Sequence, residues 1–256
     1  ISPMIPLAIL AVSLLTHFYA FGFPSSVVFD EVFYGNFVTH YWQGTYFFDL
    51  HPPFAKLLLA LIGWIFGLSD YTADWTTIGN TLPDSLIYLR LIPLLAGTLL
   101  PLVIYYLCRR LDISKIASLT VALLICLESS LLVQSRFILP DLIMLLVGFG
   151  SFLCYFEYRR RLKSSNYYHF FLYASIILAS LALSIKWTGL SFLFLIILLE
   201  FYELYQEKSE SGKQAGQFKK FVKKFSVFVA QSILIAFILY AAFFAIHFAL
   251  LPKSGP

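Results

Sequence analysis

The sequence predicts an all-α protein that crosses a lipid bilayer several times. Three observations carry that expectation. Of the 256 residues, 60% are hydrophobic and 18% aromatic, while 12% are charged, against about 25% in soluble domains. The mean hydropathy is +0.82. Apolar runs of about 20 residues, the length that crosses the hydrocarbon core, recur along the chain, and a bilayer core admits such runs only as helices because every peptide group must be satisfied internally. This composition excludes a soluble globular domain, a disordered chain and a nucleic-acid binder, since no basic face remains to track phosphates.

Seven spans are expected, near residues 4–22, 86–107, 116–133, 137–157, 169–185, 187–205 and 225–249. The first has no basic region before it and the chain opens at Ile1, so it reads as a span rather than a signal peptide, within a fragment of something longer. The connections at 108–115, 158–168 and 203–224 hold Arg109, Arg110, Lys115, then Arg159, Arg160, Arg161, Lys163, then Lys208, Lys213, Lys219, Lys220, Lys223 and Lys224, most of the 18 basic residues. The positive-inside rule assigns these loops to the cytoplasm. With alternating spans, residues 23–85, whose one basic residue is Lys56, face the other side.

Phe54 to Leu68 is apolar but short for a span and is entered through Pro52-Pro53. It reads as an interfacial or re-entrant helix, with proline in its first turn. Were it a span, Asp30 and Glu31 would move to the cytoplasmic side. Residues 1–256 show no internal repeat and no second domain. Cys108, Cys126 and Cys154 lack C-x-x-C spacing and read as small core hydrophobes. Gly63 and Gly67 form a G-x-x-x-G pattern that more often marks ordinary close packing.

Asp30 and Glu31 stand together in an aromatic run just after the first span. Ionisable groups near a membrane interior are costly and mark substrate paths or proton chemistry, and burial among Phe29, Phe33 and Tyr34 would lift a carboxylate toward the range of a general base. The dipeptide is equally compatible with the solvated start of a loop. Arg90, Arg136 and Lys186 each lie at an external end of an apolar run. Snorkelling to the interface would explain any one of them, whereas three cations converging would suit a phosphate. A carboxylate facing such cations is the minimal equipment for displacing a phosphate by a hydroxyl nucleophile. His51, between Asp49 and Pro52, would cap the interfacial helix or touch substrate. His17, His40, His169 and His247 are scattered, and no metal-ligand spacing occurs, so no metal is expected.

These motifs resemble those of the protein O-mannosyltransferase family, the polyprenyl-phosphate-mannose-dependent enzymes of the GT-C glycosyltransferase class. The resembling stretches are Val28-Phe29-Asp30-Glu31-Val32, Gly44-Thr45-Tyr46-Phe47-Phe48-Asp49-Leu50-His51-Pro52-Pro53, Arg90-Leu91-Ile92-Pro93, Gln134-Ser135-Arg136-Phe137 with Asp141, Leu183-Ser184-Ile185-Lys186-Trp187-Thr188-Gly189, and Ser254-Gly255-Pro256. The resemblance implies a GT-C fold of about seven membrane helices with interfacial helices in the first extracytoplasmic loop. It implies mannose transfer from a polyprenyl-phosphate-mannose donor to Ser or Thr hydroxyls of acceptor proteins, inverting and without a metal cofactor. Asp30 would be the general base with Glu31 supporting, Arg90, Arg136 and Lys186 would hold the donor phosphate, and His51, Asp49 and Asp141 would line the cavity.

Phe33, Asn36 and Pro140 depart from common family residues. Residues 1–256 would be the N-terminal module, with further spans of the family beyond. A GT-C transferase of another lipid-linked sugar, an inactive partner subunit, and a transporter remain as alternatives. The expected setting is a multi-pass position in a bacterial plasma membrane, or the endoplasmic reticulum of a eukaryote.

Overall fold

The computed structural model describes residues 4–162, 167–210 and 216–255; Lys163, Lys213 and Pro256 lie outside them. Ten α-helices follow in order: α1 Met4–Phe18, α2 Glu31–Gln43, α3 Phe54–Ile65, α4 Leu91–Arg110, α5 Lys115–Leu127, α6 Ser129–Ser135, α7 Asp141–Arg161, α8 Tyr168–Leu183, α9 Leu190–Glu210 and α10 Gln217–Leu250. Two isolated β-bridges, Ser26 with Thr81 and Thr45 with Lys253, are the extended pairings among the described residues.

Among the described residues, four helical segments are long and apolar enough to cross a membrane: Asp84–Arg110, Asp141–Arg161, Trp187–Ser209 and Gln217–Leu250. The pair α5 and α6 makes a fifth if a 55° bend is allowed. The bend has a local cause. At Glu128 the backbone turns extended and its carboxylate caps α6 by accepting from the Leu131 amide at 2.6 Å, so the ladder of α5 stops there. Helices also fill the other two expected positions, but Met4–Phe18 and Tyr168–Leu183 have 15 and 16 residues, short of the usual spanning length. Seven apolar helical regions thus stand where seven were expected, and four or five meet the length for a span.

Phe54–Ile65, at 12 residues, falls well short of a span and starts at Pro53, as expected of an interfacial helix. Its Gly63 lies flat against the Trp42 ring, so this glycine serves close packing within the chain. α2 ends at Gly44, whose left-handed φ of 67° terminates the helix and sends the chain back along α3.

The apolar interior forms three clusters. The largest joins α4, α7, α8 and α9 around Leu142, Tyr155, Ile176, Ala179 and Ile196. A smaller one holds α1 against α4 and α5 through Ile9, Tyr105, Ala122 and Cys126. The third belongs to the loop of residues 23–85: Val27, Tyr34, Val38, Tyr41, Trp75 and Leu82 close on Leu89, Ile138 and Leu139 at the ends of neighbouring segments. That loop is therefore a packed cap on one end of the bundle. Cys108 and Cys126 are buried within these clusters, as their apolar surroundings in the sequence predict.

Contacts across the cap join it to the α8–α9 connection. The Phe54 amide donates to the Ser184 carbonyl at 3.1 Å, and the Trp187 indole N–H donates to the Leu50 carbonyl at 3.1 Å. Asp49, His51, Asp141 and Lys186 thus share one end of the bundle. The other end carries the basic connections, where Arg110 and Arg161 pair with Glu157 while Arg159 pairs with Glu200, Glu203 and Glu207.

Candidate active site

The cap is built around a pair of adjacent acids whose side chains part company. Phe29 takes a left-handed φ of 50°, a conformation costing a bulky residue about 1–2 kcal/mol. The turn inserts Glu31 into the cap at 0% exposure and leaves Asp30 half-exposed at the start of α2. Glu31 accepts from Arg90 Nε and Nη2, both at 2.8 Å, and from the Val28 and Ile138 amides, both at 2.9 Å. Arg90, also 0% exposed, gives its remaining donors to the carbonyls of Pro24 and Ser26 at 2.8 Å and of Gly22 at 3.5 Å, and stacks on Phe137 at 5.2 Å. Every lone pair and proton of the couple is used, which is what makes a fully desolvated ion pair tolerable.

Arg90, expected at the donor phosphate, is the partner of Glu31. Its fork matches a carboxylate bidentately, and a carboxylate with no exposure requires such a partner more strongly than an open cavity does. Arg136 has a partner of its own. It sits at the end of α6, donates from Nη2 to the Thr16 carbonyl at 2.8 Å, and keeps a buried Nε without a hydrogen bond among the described residues. The three cations therefore have three different partners, and Lys186 is the one paired with Asp141.

Lys186 follows α8 in an extended conformation and bridges both oxygens of Asp141 at 2.8 and 2.9 Å, with the partners 18% and 30% exposed. Its position depends on Gly189, where a Cβ would overlap the Ala182 carbonyl. Asp49 pairs with Lys56, which is buried on α3 and also donates to the His51 carbonyl at 2.8 Å. Burial pushes the Lys56 ammonium below its ordinary range, and hydrogen bonding to Asp49 works against that.

Two side chains show how these groups converge. The Tyr34 hydroxyl is pushed well above its ordinary value, first by burial and then by the negative charges of Asp49, Asp141 and Asp30. His51 is lowered, first by burial, with Asp49 opposing and with Lys186 and Lys56 adding to the effect. Its Nδ1 is buried with no hydrogen-bond partner among the described residues. Tyr34 thus feels the charges of Asp30, Asp49 and Asp141, and His51 those of the Asp49–Lys56 and Asp141–Lys186 pairs. Asp30 has no ion pair among the described residues.

Beside them a cavity of about 120 Å³ is lined by Asp49, His51, Lys56, His247 and aromatic rings. His247 and Tyr41 were not legible as site residues. The Tyr41 hydroxyl meets His247 Nδ1 at 2.6 Å, tying the last turn of α10 to α2. Next to this contact the Tyr46 amide donates to the Lys253 carbonyl at 2.9 Å. Lys56, the one basic residue of 23–85, takes a place in the site that its position in the sequence alone did not assign.

An all-helical membrane bundle capped by a carboxylate-rich loop defines the class as a polytopic membrane protein with a polar site at one membrane face. The sequence pattern of the family described as dolichyl-phosphate-mannose-protein mannosyltransferase matches residues 7–252, and the chain belongs to that family. It is 30% identical over 95% of its length to dolichyl-phosphate-mannose–protein mannosyltransferase 4 of Candida albicans, and 32% identical over 98% to protein O-mannosyl-transferase 1 of Danio rerio. It spans about a third of each, 33% and 34%. A solved Saccharomyces cerevisiae protein O-mannosyltransferase Pmt1–Pmt2 complex, bound to its sugar donor, superposes with a TM-score of 0.87 at 27% identity, covering 97% of this chain and 34% of that one. These relatives are eukaryotic and give the expected bacterial membrane no support.

Proposed function

We propose that the chain carries the catalytic carboxylate of an enzyme that moves mannose from a dolichyl- or polyprenyl-phosphate donor to Ser or Thr hydroxyls of acceptor proteins. The reaction would take place on the luminal face of the endoplasmic reticulum membrane. The observation that supports this most is the division of labour within the acidic pair: Glu31 is consumed by Arg90, while Asp30 is half-exposed and without an ion pair among the described residues.

Asp30 takes the proton of the acceptor hydroxyl. The hydroxyl oxygen then bonds to the mannose anomeric carbon from the face opposite the phosphate, the carbon–oxygen bond to phosphate breaks, and the phosphate leaves with the electron pair. Inversion at the anomeric carbon follows. Lys186, held by Asp141, and the unfilled Nε of Arg136 are the cations available to the growing phosphate charge. The departing lipid phosphate is a good enough leaving group to need no acid. Arg90 and Glu31 act as positioning residues that set the turn presenting Asp30. His51 offers an unfilled Nδ1 to a sugar hydroxyl, with Asp49 and Lys56 beside it.

The test is transfer of radiolabelled mannose from polyprenyl-phosphate-mannose to a Ser/Thr peptide by the full-length protein in membranes. Asp30→Asn is expected to lower transfer by about 10² or more. An active wild type with an unaffected variant assigns the base to another acid. A well-expressed wild type that is inactive with this donor overturns the reading.

A further inference from the structure

The end of the bundle opposite the acidic site holds a cavity of about 480 Å³ between α7, α8, α9 and α10. Its α10 wall is one helical stripe. Lys220, Lys223 and Lys224 give way along the same face to Val227, Phe228 and Gln231, at the three- and four-residue spacing that keeps side chains on one side. The three lysines are exposed, whereas Phe228, Leu172 of α8 and Leu204 of α9 are buried. The cavity thus has a cationic mouth and an apolar floor.

Its charges do not balance internally. Arg159 and the three lysines face Glu200 and Glu207 as the carboxylates on the lining. Glu200, on the buried side, accepts from the Tyr155 hydroxyl at 3.0 Å and lies 3.6 Å from Arg159 Nη1. Arg159 also serves Glu203 and Glu207, and Lys224 lies 3.4 Å from Glu207. Lys220 and Lys223 have no ion pair among the described residues. Unspent cations above an apolar floor, at the membrane end of a helix bundle, fit an amphipathic anion. A basic pocket between membrane helices is the chemistry that selects anionic lipid headgroups.

We infer that this cavity binds the phosphate headgroup of an anionic phospholipid, with Lys220 and Lys223 on the phosphate and Val227, Phe228 and Leu172 against the upper acyl chains. The site is remote from Asp30 and independent of the transfer reaction. Its occupant would come from the leaflet facing the basic loops. A free phosphate offers the same anion but nothing to cover the floor.

Native mass spectrometry of the full-length detergent-solubilised protein tests this with three probes: short-chain phosphatidylserine, phosphatidylcholine of the same chain length, and inorganic phosphate. Phosphatidylserine is expected to bind more tightly than phosphatidylcholine and to resist competition by equimolar inorganic phosphate. In the double variant Lys220→Gln/Lys223→Gln its affinity is expected to fall roughly tenfold or more. The control, Lys115→Gln/Lys219→Gln, removes the same charge from exposed lysines outside the lining and is expected to bind as wild type. Equal binding of the two lipids, full competition by inorganic phosphate, or equal losses in the two double variants would each overturn the assignment. All four lysines are exposed, so these changes leave the packed interior intact.

Discussion

At the scale of single residues, the adjacent acids Asp30 and Glu31 have opposite fates, and the difference is measurable. Removing one partner of a fully buried ion pair leaves an uncompensated charge and costs about 3–5 kcal/mol. Arg90→Leu is therefore expected to lower the unfolding temperature in detergent sharply, while Asp30→Asn leaves it near wild type and removes activity. Equal thermal losses in both variants would show that Asp30 is also structural. His51 makes a second residue-scale prediction. Its folded-state pKa lies below the ordinary value of 6.5, chiefly through burial, so the unfolded chain takes up the proton first as pH falls. The stability it contributes is present above pH 6.5 and is lost as pH drops from there through the folded value. In His51→Gln, unfolding temperature measured against pH should lose part of its acid-side decline. Protonation also places a third positive charge beside Lys186 and Lys56, so transfer by wild type is expected to decline over the same acid range.

Among the elements, the short connection between α8 and α9 does more than join two helices. The turn at Trp187–Gly189 holds Lys186 extended so that it reaches Asp141 on α7. Gly189 fits only because it has no Cβ to meet the Ala182 carbonyl. Gly189→Ala should cost about 1–3 kcal/mol through overpacking and, by moving Lys186, reduce transfer more than the thermal loss explains. Comparing the initial rate with the folded fraction at one temperature separates the two effects, and a rate that merely tracks folded protein would place Lys186 outside the reaction. Hydropathy made the α7, α9 and α10 spans and the Pro-started α3 legible, because each is a property of a short window of sequence. The bend between α5 and α6 was not, since both halves are apolar and the break comes from one capping carboxylate, Glu128.

For the whole molecule, the two ends differ in charge and in purpose. The capped end gathers Asp30, Asp49, Asp141 and Lys186, and the other carries the basic connections with the α7–α10 cavity. If the ends face opposite sides of the membrane, cysteines placed at exposed Thr76 and at Ser209 should react with a membrane-impermeant maleimide from opposite sides of sealed vesicles, with the native cysteines removed. Labelling of both from one side would move Asp30 and the cap into the compartment of the basic loops.

The sequence by itself determined the class, the places of the long helices, the polarity of the ends and the acidic motif of the cap, because apolar length, charge bias and residue order are one-dimensional properties. It did not determine which charge meets which. Glu31 and Arg90 are 59 positions apart, Asp141 and Lys186 are 45, and Tyr41 and His247 are 206. Of the cations read from the sequence as one phosphate cluster, one is locked on Glu31, one is tied to α1 and one faces the acids. Only the tertiary structure decided this, because an ion's partner is set by burial and by the geometry of the packed helices around it. In a low-dielectric interior an unpartnered charge is too costly to leave, so packing assigns each buried cation to the carboxylate or carbonyl that the fold brings within reach.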